Sequence, residues 1–287
     1  MPASVAAKEP IGRFWSYTNA GWCLLGRALE TVVGLVWEDA MRESLLGPLG
    51  FEQTTFATHT IAGLYATGHE VRAGGQVVAE RWMPRSLGPA GSTLQSTITD
   101  MLRLASAQLD DPAVAVLRTT HADVRIPAWF DAWCLGCARF DWNGGPVWGW
   151  DGLISGQRAA LRIVPDQQAA VALVTNSTTG RAMHSRLFAD LMPDLFGITV
   201  PELRLEPSRG ADMDLSPFAG VYAWPDRRVL VTAGDDALVI ESERGAVEAL
   251  AVDARTFLVD ADDPDNPAVV FGAFDDGGRP RVLYQTL

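Results

Sequence analysis

The stretch WGWDGLISGQRAALRIVPDQQAAVALVTNS (residues 148–177) holds three apolar runs separated by two turn signals. VWGW, QRAALRIV and AAVALVTN are each short, and glycine or Pro165-Asp166 divides them. That pattern predicts consecutive strands of an antiparallel meander, with a hairpin at Pro165-Asp166. Working outward, the period changes. Residues 19–34 place Trp22, Leu24, Leu25, Ala28, Leu29, Val32 and Val33 at helical spacing, which predicts a helix with one broad buried face, stopped at Gly34. A second helix is expected from about Trp37 to Leu46, ending at Gly47-Pro48. Residues 54–89 are looser, and 93–109 are helical again with Thr97 or Thr99 as a cap. Residues 180–196 close the block as a helix. Helices, then a sheet meander, then a closing helix make an α+β pattern.

Residues 201–214 turn polar and Pro/Gly-containing, as a linker does. Beyond them FAGVYAW, VLVTAG, ALVIES, TFLVDA, AVVFGAF and RVLYQTL alternate between turn residues. They predict a small all-β barrel or sandwich. The expected organisation is therefore an α+β domain over 1–200, a linker over 201–214 and an all-β domain over 215–287.

The hydrophobic fraction of 48% and the 287-residue length suffice for a buried core. A net charge of −12 argues against a nucleic-acid partner, because phosphate binding needs clustered cations. No apolar run approaches the roughly 20 residues that span a bilayer. MPASVAAKEP has no charged segment followed by an apolar one, so no signal peptide and no membrane partner are expected, with the cytoplasm as the default location. Lys8 is the only lysine.

Two short motifs carry candidate chemistry. In Tyr17-Thr18-Asn19, a tyrosine at a helix start can titrate low among cations and take a proton from a nucleophile. Asn19, two residues on, can hydrogen-bond a substrate or a lysine. The bland reading is a half-buried tyrosine beside an N-capping asparagine. In Trp150-Asp151-Gly152-Leu153, Gly152 lets a backbone approach a ligand, and the Leu153 N–H can serve as an oxyanion donor. The bland reading there is a strand-end turn with a packed tryptophan.

Taken with their surroundings, PIGRFWSYTNAGWCLLGRALE, LLGPLGFEQTTF, AGSTLQSTITDMLRLASAQL and the 148–177 stretch resemble the serine β-lactamase-like superfamily. The likeness is to the branch holding class C β-lactamases, D,D-peptidases and related esterases, which are penicillin-binding-protein-like. It covers roughly residues 10–196, in family order, and residues 215–287 are similar to the small β-barrel appendage of many members. The resemblance implies a partial β-lactamase-like fold, Tyr17 and Asn19 as catalytic residues, and Trp150, Gly152 and Leu153 as substrate-binding or oxyanion residues.

The family's nucleophile sits in Ser-x-x-Lys, where lysine helps deprotonate the serine. Val5, not serine, lies three residues before Lys8, and Ser4 lies four before it. Ser-x-x-Lys is therefore absent, and the chain looks like the family without its N-terminal portion. Trp150 stands where the family usually has Lys or His, which removes the cation that would meet a substrate carboxylate. The expected function is an esterase-type serine hydrolase acting on a small ester or amide through an acyl-enzyme. Its Ser and Lys would come from a longer gene product or from a complementary N-terminal chain. The alternatives are an inactive family member used for binding or scaffolding, and a peptide-cyclising acyltransferase.

Other candidates read as structural. Cys134-Leu-Gly-Cys137 is formally C-x-x-C, but DAWCLGCARFDW reads as a strand, whereas a redox motif opens a helix; a zinc site would need a second pair. DADDPDN (260–266) fails the EF-hand pattern at its fifth and sixth positions and reads as a solvated turn. His59, His69, His121 and His184 are scattered, Ser92 and Ser96 read as helix caps, and Gly74-Gly75 and Gly144-Gly145 read as turns. No metal and no cofactor is expected.

Overall fold

The computed structural model describes residue 12 and residues 14–57, 65–72, 75–78, 82–127, 129–154, 156–201, 204–208, 213–223, 228–243, 245–260 and 267–285. Ser4, Val5, Lys8, His59, Gly74, residues 261–266 of the acidic turn and part of 201–214 lie outside them. The chain divides into two units. One comprises Tyr17–Asp123 and Ala132–Val200. The other comprises Val124–Asp131 and Pro201–Leu287 with the described residues before Tyr17.

In the first unit, α1 (Asn19–Val33) follows the extended Thr18 and stops at left-handed Gly34, whose N–H donates to the Glu30 carbonyl at 2.9 Å. Thr18, not Asn19, holds the N-cap position, and Asn19 is the first helical residue. The apolar face of α1 is not buried as its periodicity predicts. Gly26, against Pro89, is the helix's one buried residue, while Leu25 is 60% and Val32 82% exposed. An apolar stripe implies a partner, and among the described residues nothing covers this one. α2 (Trp37–Met41) runs on through a π-helical turn, Arg42–Leu46, to Gly47. Its Glu38 carboxylate takes a two-pronged bond from Arg85, both at 2.7 Å.

Two short antiparallel pairs follow, β1 (Thr55–Phe56) with β4 (Leu94–Gln95) and β2 (His69–Arg72) with β3 (Gly75–Val78). α3 (Ile98–Asp110) is capped by Thr97, whose hydroxyl accepts from the Asp100 N–H at 3.3 Å. Ser96, read as a cap, instead shares a 2.8 Å bond with the Thr54 hydroxyl.

The sheet is a six-stranded meander built from β5 (Ala122–Ile126), β6 (Phe130–Trp133), β7 (Ala138–Trp142), β8 (Gly145–Ile154), β9 (Gln157–Val164) and β10 (Ala169–Thr175). The spatial order is β10-β9-β8-β7-β6-β5, and α4 (Gly180–Phe196) follows β10. Residues 131–142, expected as one strand, form the β6–β7 hairpin, with Trp133 opposite Ala138. β10 ends the sheet. Its sequence AAVALVT has neither the charges nor the proline that usually protect an edge strand.

The second unit carries a nearly closed, barrel-like meander of seven strands, each paired with its sequence neighbour. They are β11 (Gly220–Ala223), β12 (Arg228–Ala233), β13 (Ala237–Ser242), β14 (Gly245–Ala251), β15 (Thr256–Leu258), β16 (Ala268–Gly272) and β17 (Val282–Gln285). Six of these match the alternating runs in the sequence; β14 was not expected. Phe218, Phe257 and Phe271 pack ring against ring at 4.9–5.5 Å in its core. The fold is thus an α+β arrangement with a C-terminal all-β unit.

Among the described residues no single helix is long and apolar enough to cross a membrane. Among the described residues the α1 stripe and the outer edge of β10 (Ala169–Thr175) lie uncovered, and both are templates for association. The isolated chain is expected to self-associate in light-scattering chromatography. Leu25→Gln with Val32→Gln should shift it toward monomer. A parent chain that elutes as a single monomer at all concentrations would contradict this.

Candidate functional site

The fold draws together residues far apart in sequence. The Tyr17 ring, just ahead of α1, lies 5.6 Å from the Trp150 ring in β8 and 5.7 Å from that of Trp133. Trp133 and Trp150 meet edge to face at 4.7 Å. Such pairs add about 0.5–1.5 kcal/mol beyond the area they bury. The two motifs are therefore held together by an aromatic triad. Tyr17 remains 43% exposed within it, and Asn19 is exposed one turn-start further on. The rings beside that of Tyr17 are those of Trp133 and Trp150.

Strand β8 supplies the other half of the site. Its ladder with β7 ends at Gly149, opposite Ala138, whereas its ladder with β9 continues to Ile154. Among the described residues no strand pairs with the β7-side edge of residues 151–154. Backbone groups on that side are thus available to a ligand. The two glycines of this strand differ in kind. A Cβ on Gly149 would lie 1.8 Å from the Leu161 carbonyl oxygen, so glycine there is demanded by the protein itself. A Cβ on Gly152 would meet nothing within 4 Å. Nothing in the described protein requires glycine at 152, and the space before it is open. Leu153, next along, is exposed.

Behind the motif sits a buried cation. Arg162 of β9 donates to both oxygens of Asp151, at 2.6 and 3.1 Å. Its guanidinium lies 4.1 Å from the Phe140 ring centroid and 4.8 Å from that of Phe188. A bidentate pair stacked between aromatic rings fixes Asp151, and with it the strand between Trp150 and Gly152. Sequence reading missed this clamp and missed Trp133.

His184 of α4 is buried nearby, and among the described residues its Nε2 has no hydrogen-bond partner. Burial pushes its pKa below the usual 6.5, with Asp151 opposing and Arg158 and Arg162 adding to the shift. The unfolded chain therefore binds this proton before the folded one does, and stability falls as pH drops below about 6.5. His184→Gln should show a smaller loss of melting temperature between pH 7.5 and 5.5 than the parent. Equal losses in both would remove His184 from this role.

The sequence contains no Ser-x-x-Lys. Among the described residues no group of three His, Cys, Asp or Glu side chains is placed to hold a metal ion.

Comparison with known proteins sharpens this picture. The beta-lactamase family model matches residues 1–191. Penicillin-binding protein 4 of Amycolatopsis lactamdurans is 33% identical over 238 residues, or 77% of this chain and 62% of that protein. The chain thus spans less than two thirds of this relative's length. The crystal structure of SurE superposes with a TM-score of 0.78 at 28% identity, covering 97% of this chain and 68% of SurE. The octameric penicillin-binding protein homologue from Pyrococcus abyssi, at 16% identity and a TM-score of 0.59, shares the fold over 98% of this chain and 67% of its own.

Proposed function

Because the chain belongs to the beta-lactamase family, we propose that it supplies the Tyr-x-Asn and Trp-x-Gly half of an esterase-type serine hydrolase. The nucleophilic serine and its lysine come from polypeptide outside this sequence. The observation that carries this reading is the 5.6 Å contact between the Tyr17 and Trp150 rings. It brings the Tyr17 ring beside β8, the strand whose open edge would meet the substrate.

The roles follow from position. Tyr17 takes the proton of the incoming serine hydroxyl and passes it to the leaving group. Asn19 hydrogen-bonds the substrate or the incoming lysine. The Leu153 N–H stabilises the developing oxyanion, and Gly152 leaves room for the acyl group. Trp150 presents an aromatic face where a cation would bind carboxylate, which favours a neutral ester or amide. Water as acyl acceptor makes the assembly a hydrolase; a substrate's own amine makes it a peptide-cyclising acyltransferase.

A second reading is favoured by the absent Ser-x-x-Lys: an inactive family member that binds ligands in the same cleft. The two separate in one assay. The chain is mixed with a family polypeptide carrying Ser-x-x-Lys, and p-nitrophenyl butyrate hydrolysis is followed. Activity that requires both components supports the hydrolase. Ligand binding by the chain with no activity in the mixture supports the binding module.

A further inference from the structure

The C-x-x-C pair occupies a place that its sequence context concealed. The β6–β7 ladder ends at Trp133 opposite Ala138, and Cys134 and Cys137 flank the turn just beyond it. The Cys134 N–H donates to the Cys137 carbonyl at 2.8 Å across a two-residue turn, Leu135-Gly136, in which Gly136 has φ 89°. A hydrogen-bonded antiparallel pair holds its Cα atoms about 5.5 Å apart, within the roughly 4.4–6.8 Å span that a disulfide bridges. Each thiol is the largest influence on the other's titration. The Cys137 S–H also lies 3.4 Å from the Leu117 carbonyl oxygen.

We propose that Cys134 and Cys137 form a reversible dithiol–disulfide pair, oxidised by a small peroxide, that locks the hairpin turn beside the aromatic triad. The surroundings favour a thiolate at Cys134. The hydrogen bond from Cys137 is the main cause, the Thr120 hydroxyl, Arg139 and the Trp148 N–H add to it, and together they outweigh burial to bring the Cys134 pKa down to about 7. Cys137 is pushed up by its hydrogen bond to Cys134 and by burial, so it keeps its proton as the resolving thiol.

The chemistry balances. The Cys134 thiolate sulfur attacks one peroxide oxygen, an S–O bond forms, the O–O bond breaks, and the departing hydroxide takes a proton to become water. Cys137 sulfur then attacks the sulfenic sulfur. The S–S bond forms, the S–O bond breaks, and hydroxide leaves with the Cys137 proton as a second water. The pair loses two electrons and the peroxide gains them. An external dithiol reverses the step by exchange. Cys134 is buried and Cys137 half-buried, so the oxidant must be small.

The consequence reaches the site because Trp133 immediately precedes Cys134. A covalent bond across the turn constrains the Trp133 ring against Tyr17 and Trp150. The pair itself stands on the hairpin alone and does not depend on where the nucleophile originates.

The test uses the reduced full chain and stoichiometric hydrogen peroxide. Denatured thiol titration should fall from three groups per chain to one. Both cysteines fall in the tryptic peptide 126–139, which should lose two hydrogens and resist alkylation until dithiothreitol is added. Cys134→Ser and Cys137→Ser should each abolish that peptide's internal bond. Oxidised glutathione, being bulky, should react at least tenfold more slowly than peroxide. Peptide 126–139 remaining fully alkylatable, a sulfinic Cys134, or a bond to Cys23 would each overturn the proposal. The parent peptide map decides the matter even where a serine variant folds poorly.

Discussion

Tyr17→Phe is expected to lower kcat/KM of the assembled hydrolase by about 100- to 10,000-fold, the range for loss of a positioned proton-transfer group. The loss should fall on kcat. Phenylalanine keeps the ring that meets Trp133 at 5.7 Å and Trp150 at 5.6 Å, so the triad and the melting temperature should be unchanged. Only the hydroxyl is removed, the group proposed to accept the serine proton. Steady-state kinetics of parent and variant, alongside thermal melts, check this. A variant within threefold of the parent would take Tyr17 out of proton transfer and leave it a packing residue.

The second large effect separates two glycines of one strand. Gly149→Ala drives a methyl to 1.8 Å from the Leu161 carbonyl oxygen, so β8 and β9 must part. Overpacking of a core usually costs about 1–3 kcal/mol, and here the obstacle is backbone that cannot rotate away, so the loss should reach at least about 3 kcal/mol. Gly152→Ala meets open space and should leave stability within about 0.5 kcal/mol. Its methyl does enter the space an acyl group would occupy, so the assembled activity should drop while the melt does not. Denaturant titration of both variants, with the ester assay on the second, reads the contrast. Equal destabilisation by the two would contradict the view that 149 serves the fold and 152 the ligand.

Much of the framework is legible in the sequence for physical reasons. Residues 145–177 alternate glycine or Pro-Asp turns with β-branched runs, and the strands β8, β9 and β10 form where those runs lie. The closing helix and the Thr97 cap follow from local chemistry and appear as expected. The unexpected strand β14 reads GAVEALA, with three alanines, a glutamate and a leucine, residues that favour helix when nothing else intervenes. Pairing on both sides, with β13 and β15, overrides that preference. The β6–β7 turn was hidden because Leu135-Gly136 lacks the Asn-Gly or Asp-Gly signature and sits between apolar flanks.

Helix α1 teaches a different lesson. Amphipathic spacing states which face wants cover, not that cover is present. Here Leu24, Leu25, Leu29, Val32 and Val33 keep their period yet stay exposed.

The site divides in the same way. Tyr17, Asn19, Trp150, Gly152 and Leu153 stand out through their resemblance to family motifs. Trp133 and the Asp151–Arg162 clamp depend on how hairpins and strand register fall, and no local pattern announces them. Arg162 in particular reads as an ordinary charged residue on an exposed face until Phe140 and Phe188 close around it.

In the proposed assembly this chain holds the base and oxyanion half of a serine hydrolase site, and the nucleophile lies in other polypeptide. A fluorophosphonate probe tests it most directly, with adducts located by peptide mass mapping. The chain alone should carry no adduct. When it is mixed with a Ser-x-x-Lys polypeptide of the family, the adduct should form on that partner's serine and should be lost with Tyr17→Phe. An adduct on any serine of this chain, or none in the mixture, would contradict it.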